Sequence, residues 1–395
     1  MDFSLTDEQL ATSAAVRRYL QDQYPDAQRG DPVDMPSARR RWQGLAEMGL
    51  LGMAVDERWG GSQQGPVGLA LLAREMGRCH AGEGYLSSIV LAGTLLQALG
   101  STEQCERWLL PTVAGQQQLA LAHSEPQARY TLSDVQTRAQ AVPDGWRIDG
   151  HKSLVLGGAQ ADALLVLART EGASRDTHGL SLFIVPATTD GLAVQHFQTL
   201  DGRHAAHIDL HHARVPHDAL LGPLHQAFPA LQQATDLALV WTCAESVGAM
   251  ETLIERTTEH LKTRRQFGAP LARFQALQHR LADTMIGLEQ ADAMVMAAAM
   301  LIDHAPPEVR QKVLATTKVI TARAAQATSE AAIQMHGAMG MTAECRVGHF
   351  AKLLTTLSLY LGDAQHHLRW YAEHAIAPSA AATQASAPTT EKEFA

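Results

Sequence analysis

Gln334-Met335-His336-Gly337-Ala338-Met339-Gly340-Met341-Thr342 closes a long Ala-rich helical pattern running from Leu314 to Ile333. Glycine after such a helix is the usual stop, since it takes left-handed dihedrals without a Cβ clash. A second glycine extends the turn, and a large ligand can approach an exposed main chain of this kind closely. About twenty residues later comes Tyr360-Leu361-Gly362-Asp363-Ala364-Gln365. Upstream stands Arg264-Arg265-Gln266-Phe267-Gly268, with Phe274, Gln275 and Gln278 close behind. A guanidinium fork can hold phosphate oxygens through more than one hydrogen bond. The plain alternatives are a helix stop for Gly337 and Gly340, and for Arg264-Arg265 a solvated pair favoured by a helix C-terminus.

Other side chains are less suggestive. His366-His367 with His374, and His211-His212, invite a metal reading, but His367 and His374 lie a heptad apart and no carboxylate or cysteine joins them at ligand spacing. No metal site is expected. Cys79, Cys105, Cys243 and Cys345 form no CxxC pair, which points to buried thiols in a reducing compartment. No GxGxxG follows a strand, so a nicotinamide-binding Rossmann unit is not indicated.

The elements that must position these residues fall into three blocks. Leu5-Thr6-Asp7-Glu8-Gln9 reads as a capping box, followed by helical patterns at Ser37 to Met48, Pro66 to Arg78, Leu86 to Leu99 and Thr102 to Ala114. From about Leu119 short alternating runs take over, at Trp146 to Gly150, Ala163 to Leu167, Leu180 to Val185, Leu192 to Phe197 and His207 to Leu210. Thr170 to Gly179 reads as a polar hairpin loop without visible chemistry. Helices return at Ala230 to Lys262, Phe274 to His304, from Glu308, and from Gly362 to about Ala377, the pattern of a four-helix bundle. The expected fold is mainly α with a central antiparallel β domain: a helical domain over 1–117, a β domain over 118–226, a helical bundle over 227–377, and a disordered Ala/Ser/Thr/Gln-rich tail over 378–395.

Composition narrows the partners. With 395 residues, 46% hydrophobic but only 5% aromatic, the cores must be built largely from Ala, Leu, Val and Met. A net charge of -9 leaves no basic footprint for nucleic acid. No uninterrupted apolar run approaches the roughly 20 residues of a membrane span, and no secretion signal opens the chain. The expectation is a cytoplasmic protein without membrane or nucleic-acid partners.

Taken in order, Arg264-x-Gln266-Phe267-Gly268, Phe274-Gln275, Gln334-x-x-Gly337 and Gly362-x-x-Gln365 resemble the acyl-CoA dehydrogenase family, from Asp2-Phe3-Ser4-Leu5-Thr6 to about His374. Within it the chain is similar to the small subunits of pimeloyl-CoA dehydrogenases and to paired enzymes acting on dicarboxylic and steroid-derived acyl-CoA. That closer likeness rests on Arg129 to Val135, Lys152 to Leu156 and Gly362 to Leu368. The resemblance implies FAD, an acyl-CoA substrate and an electron-transfer flavoprotein as acceptor. It assigns Arg264, Gln266, Phe267, Phe274, Gln275, Gln334, Gly337 and Ala338 to a flavin shared across a subunit boundary, and Asp363 and Gln365 to flavin contacts after the catalytic turn.

The same resemblance exposes departures. Removing hydrogen from the α and β carbons of a thioester needs a carboxylate for the α proton and a cofactor for the β hydride. The family's glutamate position is Leu361, and the position used by a second branch falls at Ala238 or Leu239. Leu154 and Leu156 stand where a ring-packing Trp and a hydrogen-bonding Thr belong, and Ser124-Glu125-Pro126 reaches Ser133-Asp134 by a longer link. Asp363 is the candidate base, with helix capping or flavin contact as its alternative; Asp236 is a further carboxylate. The implied role is the base-lacking subunit of a hetero-oligomer beside a paralogous catalytic chain. The alternatives are a self-sufficient homo-oligomer using Asp363, or a non-catalytic acyl-CoA-binding protein.

Overall fold

The structure is a computed structural model that describes residues 4–25, 28–31, 33–82 and 84–375; the expected tail over 378–395 lies outside the described residues. Thr6 caps the first helix as its sequence requires. Its hydroxyl accepts the Gln9 amide, the Gln9 side chain accepts the Thr6 amide in return, and α1 runs Asp7–Gln23. Asp34 starts α2 (Met35–Glu47) by accepting the Ser37 amide at 2.7 Å, and α3 (Gly65–Cys79) follows. The apolar run from Leu86 is helical, but Leu86–Gly93 is π-helix before α4 (Thr94–Leu99). A second π-helical stretch (Cys105–Leu109) separates α5 (Thr102–Gln104) from α6 (Leu110–Val113).

The central sheet comprises β1 (Leu119–Ala122), β2 (Arg138–Val142), β3 (Gly145–Leu156), β4 (Ala163–Arg169), β5 (Leu180–Pro186), β6 (Leu192–Gln198), β7 (His204–Val215) and β8 (Leu220–Leu221). Its order is β6-β7-β3-β2-β4-β5-β8, with β1 also on β4. Most pairings are the expected antiparallel ones, but β1 and β2 both run parallel to β4, so the sheet is mixed. β4 is buried along its whole length, which explains why Ala163 to Leu167 reads as a continuous apolar run.

The C-terminal part contains α7 (Phe228–Thr263), a tight hairpin of β9 (Arg265–Gln266) and β10 (Ala269–Pro270), α8 (Gln275–Leu301), α9 (Pro307–His336), a 3-10 turn (Gly337–Met341), α10 (Arg346–Leu359) and α11 (Ala364–Ala375). The expected four helices are therefore five among the described residues. The additional one, α10, starts at Cys345 without a side-chain cap, so the sequence carries no start signal for it. Phe267 and Gly268 both have positive φ, 53° and 77°, matching a two-residue hairpin turn that twists with its strands.

α7 is long and apolar enough to cross a membrane, yet 94% of its most apolar window is buried within the protein. It crosses α3 at two glycines. A Cβ on Gly77 would lie 2.0 Å from the Glu245 carbonyl oxygen, and one on Gly248 would lie 1.8 Å from that of Arg74. Gly248 sits inside the continuous helix and lets two backbones touch. Beside the crossing, Arg74 on α3 holds Glu251 of α7 and Asp292 of α8. Gly248→Ala is expected to cost about 3 kcal/mol, because backbone rather than a flexible side chain must yield. Comparing the thermal unfolding midpoints of wild type and variant checks this.

Candidate functional site

The residues singled out by sequence gather in two places. Arg264, Gln266, Phe267, Phe274, Gln275, Gln334, Gly337 and Ala338 meet at one end of the bundle, where α7 and α9 stop and α8 begins. Leu261, Ala331 and Met335 pack beneath them, against Leu271, Ala272, Leu277 and Leu281. The group faces outward: Arg264, Gln266, Gln275, Gln334, Gly337 and Ala338 are exposed and Phe267 is 90% exposed. Phe274 meets the Phe267 ring edge-on at 6.0 Å. Gly268 and Gly337 have open space where a Cβ would lie, so the main chain is approachable at both turns.

Asp363 and Gln365 lie at the start of α11, beside a cavity of about 680 Å³ between the sheet and the bundle. Its walls come from the loop 123–133, Leu154 and Leu156 of β3, Asp236 and Leu239 of α7, Gln311 and Leu314 of α9, the Tyr360-Leu361 turn, and His366, His367 and Trp370 of α11. α7 separates the two groups. Leu239 to Arg264 is 25 residues, or about 38 Å at 1.5 Å per residue. One chain does not bring both groups to one ligand.

Four buried charged groups to which no motif gave a role shape the cavity. Lys152 and Glu125 pair at 2.7 Å, Lys152 with no exposure at all. The Glu125 carboxylate also accepts the Gln136 amide at 2.7 Å and the Thr137 amide at 3.0 Å, closing the loop that carries Arg129 to Ser133 along the cavity. Burial alone would raise this carboxyl, but Lys152 and these donors hold it down to about 2. Burial pushes the Lys152 ammonium down to about 8 against the pull of Glu125, so the pair is ionised at neutral pH. Arg169 donates to the carbonyls of Ser133, Val135, Glu171, Ser174, Asp176 and His178, which ties the 170–179 loop to the same structure. That loop has a structural anchor rather than chemistry of its own.

The fourth is Lys318 on α9, buried, whose Nζ donates to the carbonyls of Leu357 at 2.6 Å and Tyr360 at 2.8 Å. It caps α10 and fixes the turn from which residue 361 projects. His367 Nε2 donates to the Leu361 carbonyl at 2.9 Å, and burial pushes its imidazole down to about 4. His374 stacks on Trp370, so the α11 histidines are engaged locally.

The carboxylates are equally engaged. Asp363 Oδ1 accepts the His366 amide at 2.7 Å and caps α11; at this turn the cavity wall is Leu361. Among the described residues that wall holds one carboxylate, Asp236. Burial raises its carboxyl, while Gln311 and Gln232, each donating to it at 2.8 Å, and the Arg310 ion pair at 3.0 Å oppose the rise. Leu361 and Leu154 both take left-handed backbone, φ 58° and 51°, Leu154 at a bulge between Lys152 and Val155.

Folding lowers the Glu125 carboxyl, so the pair stabilises the protein fully above its ordinary value of 4.5 and loses that contribution as pH falls toward about 2. Glu125→Gln is expected to cost about 3–5 kcal/mol at neutral pH by stranding Lys152. Urea unfolding at a series of pH values checks both, since the gap between wild type and variant must narrow in that acid window.

Comparison with known proteins adds the following. Family models for the N-terminal, middle and C-terminal domains of acyl-CoA dehydrogenase match residues 6–116, 120–214 and 228–376. The mitochondrial short-chain specific acyl-CoA dehydrogenase of Homo sapiens is 30% identical over 327 residues, 81% of this chain and 78% of its own length. CarC, a subunit of the caffeyl-CoA reductase-Etf complex of Acetobacterium woodii, is 27% identical over 81% of this chain and 85% of its own. A chain of the ChsE4-ChsE5 complex from Mycobacterium tuberculosis superposes with a TM-score of 0.85 at 26% identity, covering 96% of this chain and 100% of that one.

Proposed function

Because the chain belongs to the acyl-CoA dehydrogenase family, we propose that it serves FAD-linked α,β-dehydrogenation of an acyl-CoA thioester as the base-lacking subunit of a cytoplasmic hetero-oligomer. The observation that carries this reading is the cavity wall. Its one carboxylate among the described residues, Asp236, is held by the side-chain amides of Gln232 and Gln311 and by an ion pair with Arg310, and Leu361 occupies the turn where the family's glutamate belongs. A carboxylate that must accept a carbon-bound proton needs a free lone pair facing the substrate.

The fit to FAD is divided. The outer group suits the phosphate and adenosine end, with Arg264 as the fork, Phe267 and Phe274 as aromatic faces, and open main chain at Gly337 for Gln334 and Ala338 to flank. At the cavity, Leu154 and Leu156 offer a ring no polar contact. FAD when bound supplies the hydride acceptor; this chain's residues hold one end of it. A paralogous catalytic chain supplies the ring site and the base, and an electron-transfer flavoprotein receives the electrons. The relatives named as members of complexes, CarC and the ChsE4-ChsE5 chain, favour this over a chain acting alone.

The visible spectrum tests the reading. The purified chain is expected to be colourless, and to yield a yellow complex when co-expressed with a paralogue carrying glutamate at the position of Leu361, Ala238 or Leu239. Flavin bands near one per chain from the chain alone would overturn it. In the complex, Arg264→Ala is expected to weaken flavin retention about tenfold or more, the scale of a charge-assisted hydrogen bond.

A further inference from the structure

The last turns of α7 and α9 touch through two histidines. The rings of His260 and His336 stack with centroids 4.2 Å apart and planes 24° apart. His336 Nδ1 donates to the Ala332 carbonyl at 2.9 Å, which sets that ring's orientation. Both residues are half-buried above the apolar cluster of Leu261, Ala331 and Met335. The outer group hangs directly from them. Arg264, the residue that ends α7, donates its amide to the His260 carbonyl at 2.8 Å, and Gly337 follows His336 in the chain.

Two neutral imidazoles attract as any offset aromatic pair does. Two imidazolium rings at this separation repel. The charged groups acting on the pair are Arg264, one turn beyond His260, and Arg256, one turn before it. Arg256 also lies over the Phe350 ring of α10, 5.8 Å from its centroid. A helix C-terminus favours a cationic histidine. Here the opposing effects win: burial first, then the neighbouring ring and Arg264 for His260 and Arg256 for His336, hold both imidazoles below their ordinary value.

We propose that the His260–His336 stack is a proton-sensitive clamp that positions Arg264 and Gln334 to Ala338 for the flavin phosphates across the subunit boundary, closed when both rings are neutral and opened by their protonation. The ligand named rests on the shared-flavin reading; the clamp itself is a property of this chain. His260 and His336 are positioning residues, since each acts through the turn it anchors. The sign follows from linkage: the open ends take up protons more readily than the closed ones, so acid below the ordinary histidine value favours opening.

Two measurements test it. In the chain alone, hydrogen exchange of residues 255–264 and 331–341, corrected for the intrinsic pH dependence of exchange, is expected to rise about tenfold between about pH 7.5 and about pH 5.5, the scale of one proton's linkage over a pH unit. His336→Phe and His260→Phe keep a stacked ring without a proton and are expected to abolish the rise. An equal rise in wild type and both variants, or none in wild type, overturns the clamp whatever the chain binds. In the flavin-containing complex, wild type is expected to release flavin over the same pH interval while His336→Phe retains it. A complex holding no flavin at any pH counts against the shared-flavin reading and leaves the exchange result to decide the clamp.

Discussion

The length of α7 is the constraint on which the rest depends. Its 36 residues form one unbroken hydrogen-bonded rod, so the distance between its ends is set by the helical rise and not by side-chain adjustment. One end forms part of the cavity wall, and the other carries Arg264. The contact of Gly248 and Gly77 with facing backbone pins this rod to α3, and Arg74 reaches from α3 to both α7 and α8. A chain built this way keeps its two groups of candidate residues far apart, and on the proposed reading a second chain brings complementary halves together.

At the cavity the backbone and the side chains tell different stories. Leu361 and Leu154 sit in left-handed conformations that a branched hydrocarbon side chain gains nothing from, at a cost of roughly 1–2 kcal/mol each. Lys318 and His367 hold the Leu361 turn by donating to main-chain carbonyls, and such bonds are indifferent to which side chain the turn carries. The Glu125–Lys152 pair likewise fixes the loop opposite through backbone amides. A turn held in this manner keeps its shape when its chemistry changes. The turn thus keeps its shape in a wall where Leu154, Leu156, Leu239, Leu314 and Leu361 stand beside polar and aromatic side chains.

The same distinction explains what the sequence could reveal. The capping box at Thr6, the ends of α9 and the Gly-Asp start of α11 are local signals, and each matches the structure because the partners lie within a few residues. Hydrophobic periodicity identified the helix at Leu86 but not its π turns, and it missed β1 and β2, which are too short to show a period. The outer group was legible as a set because its residues cluster in three segments. Lys318, Arg169 and the Glu125–Lys152 pair were not, since their partners are carbonyls, amides or a carboxylate brought near only by folding, as when Lys318 reaches Tyr360. Asp236 was visible as a lone acid on an apolar helix, but its engagement depended on Arg310 and Gln311, seventy-odd residues away.

Exposure gives the proposed assembly its direction. Phe267 at 90% and Met341 at 75% leave large apolar groups in water near Arg264, and covering one phenylalanine contributes about 1.5–3 kcal/mol. A monomer gains nothing from holding an aromatic ring outward on a tight hairpin, whereas an interface does. The cavity is the reverse case: its loop is closed by Glu125, its turn is held by Lys318, and Asp236, the one wall carboxylate among the described residues, is bound to neighbours. The outer end leaves its aromatic and polar groups facing solvent, and the cavity end holds Glu125, Lys318 and Asp236 through bonds from within the chain. On the proposed two-chain reading, that asymmetry suits this subunit to donate half a flavin site and to leave proton abstraction to its partner.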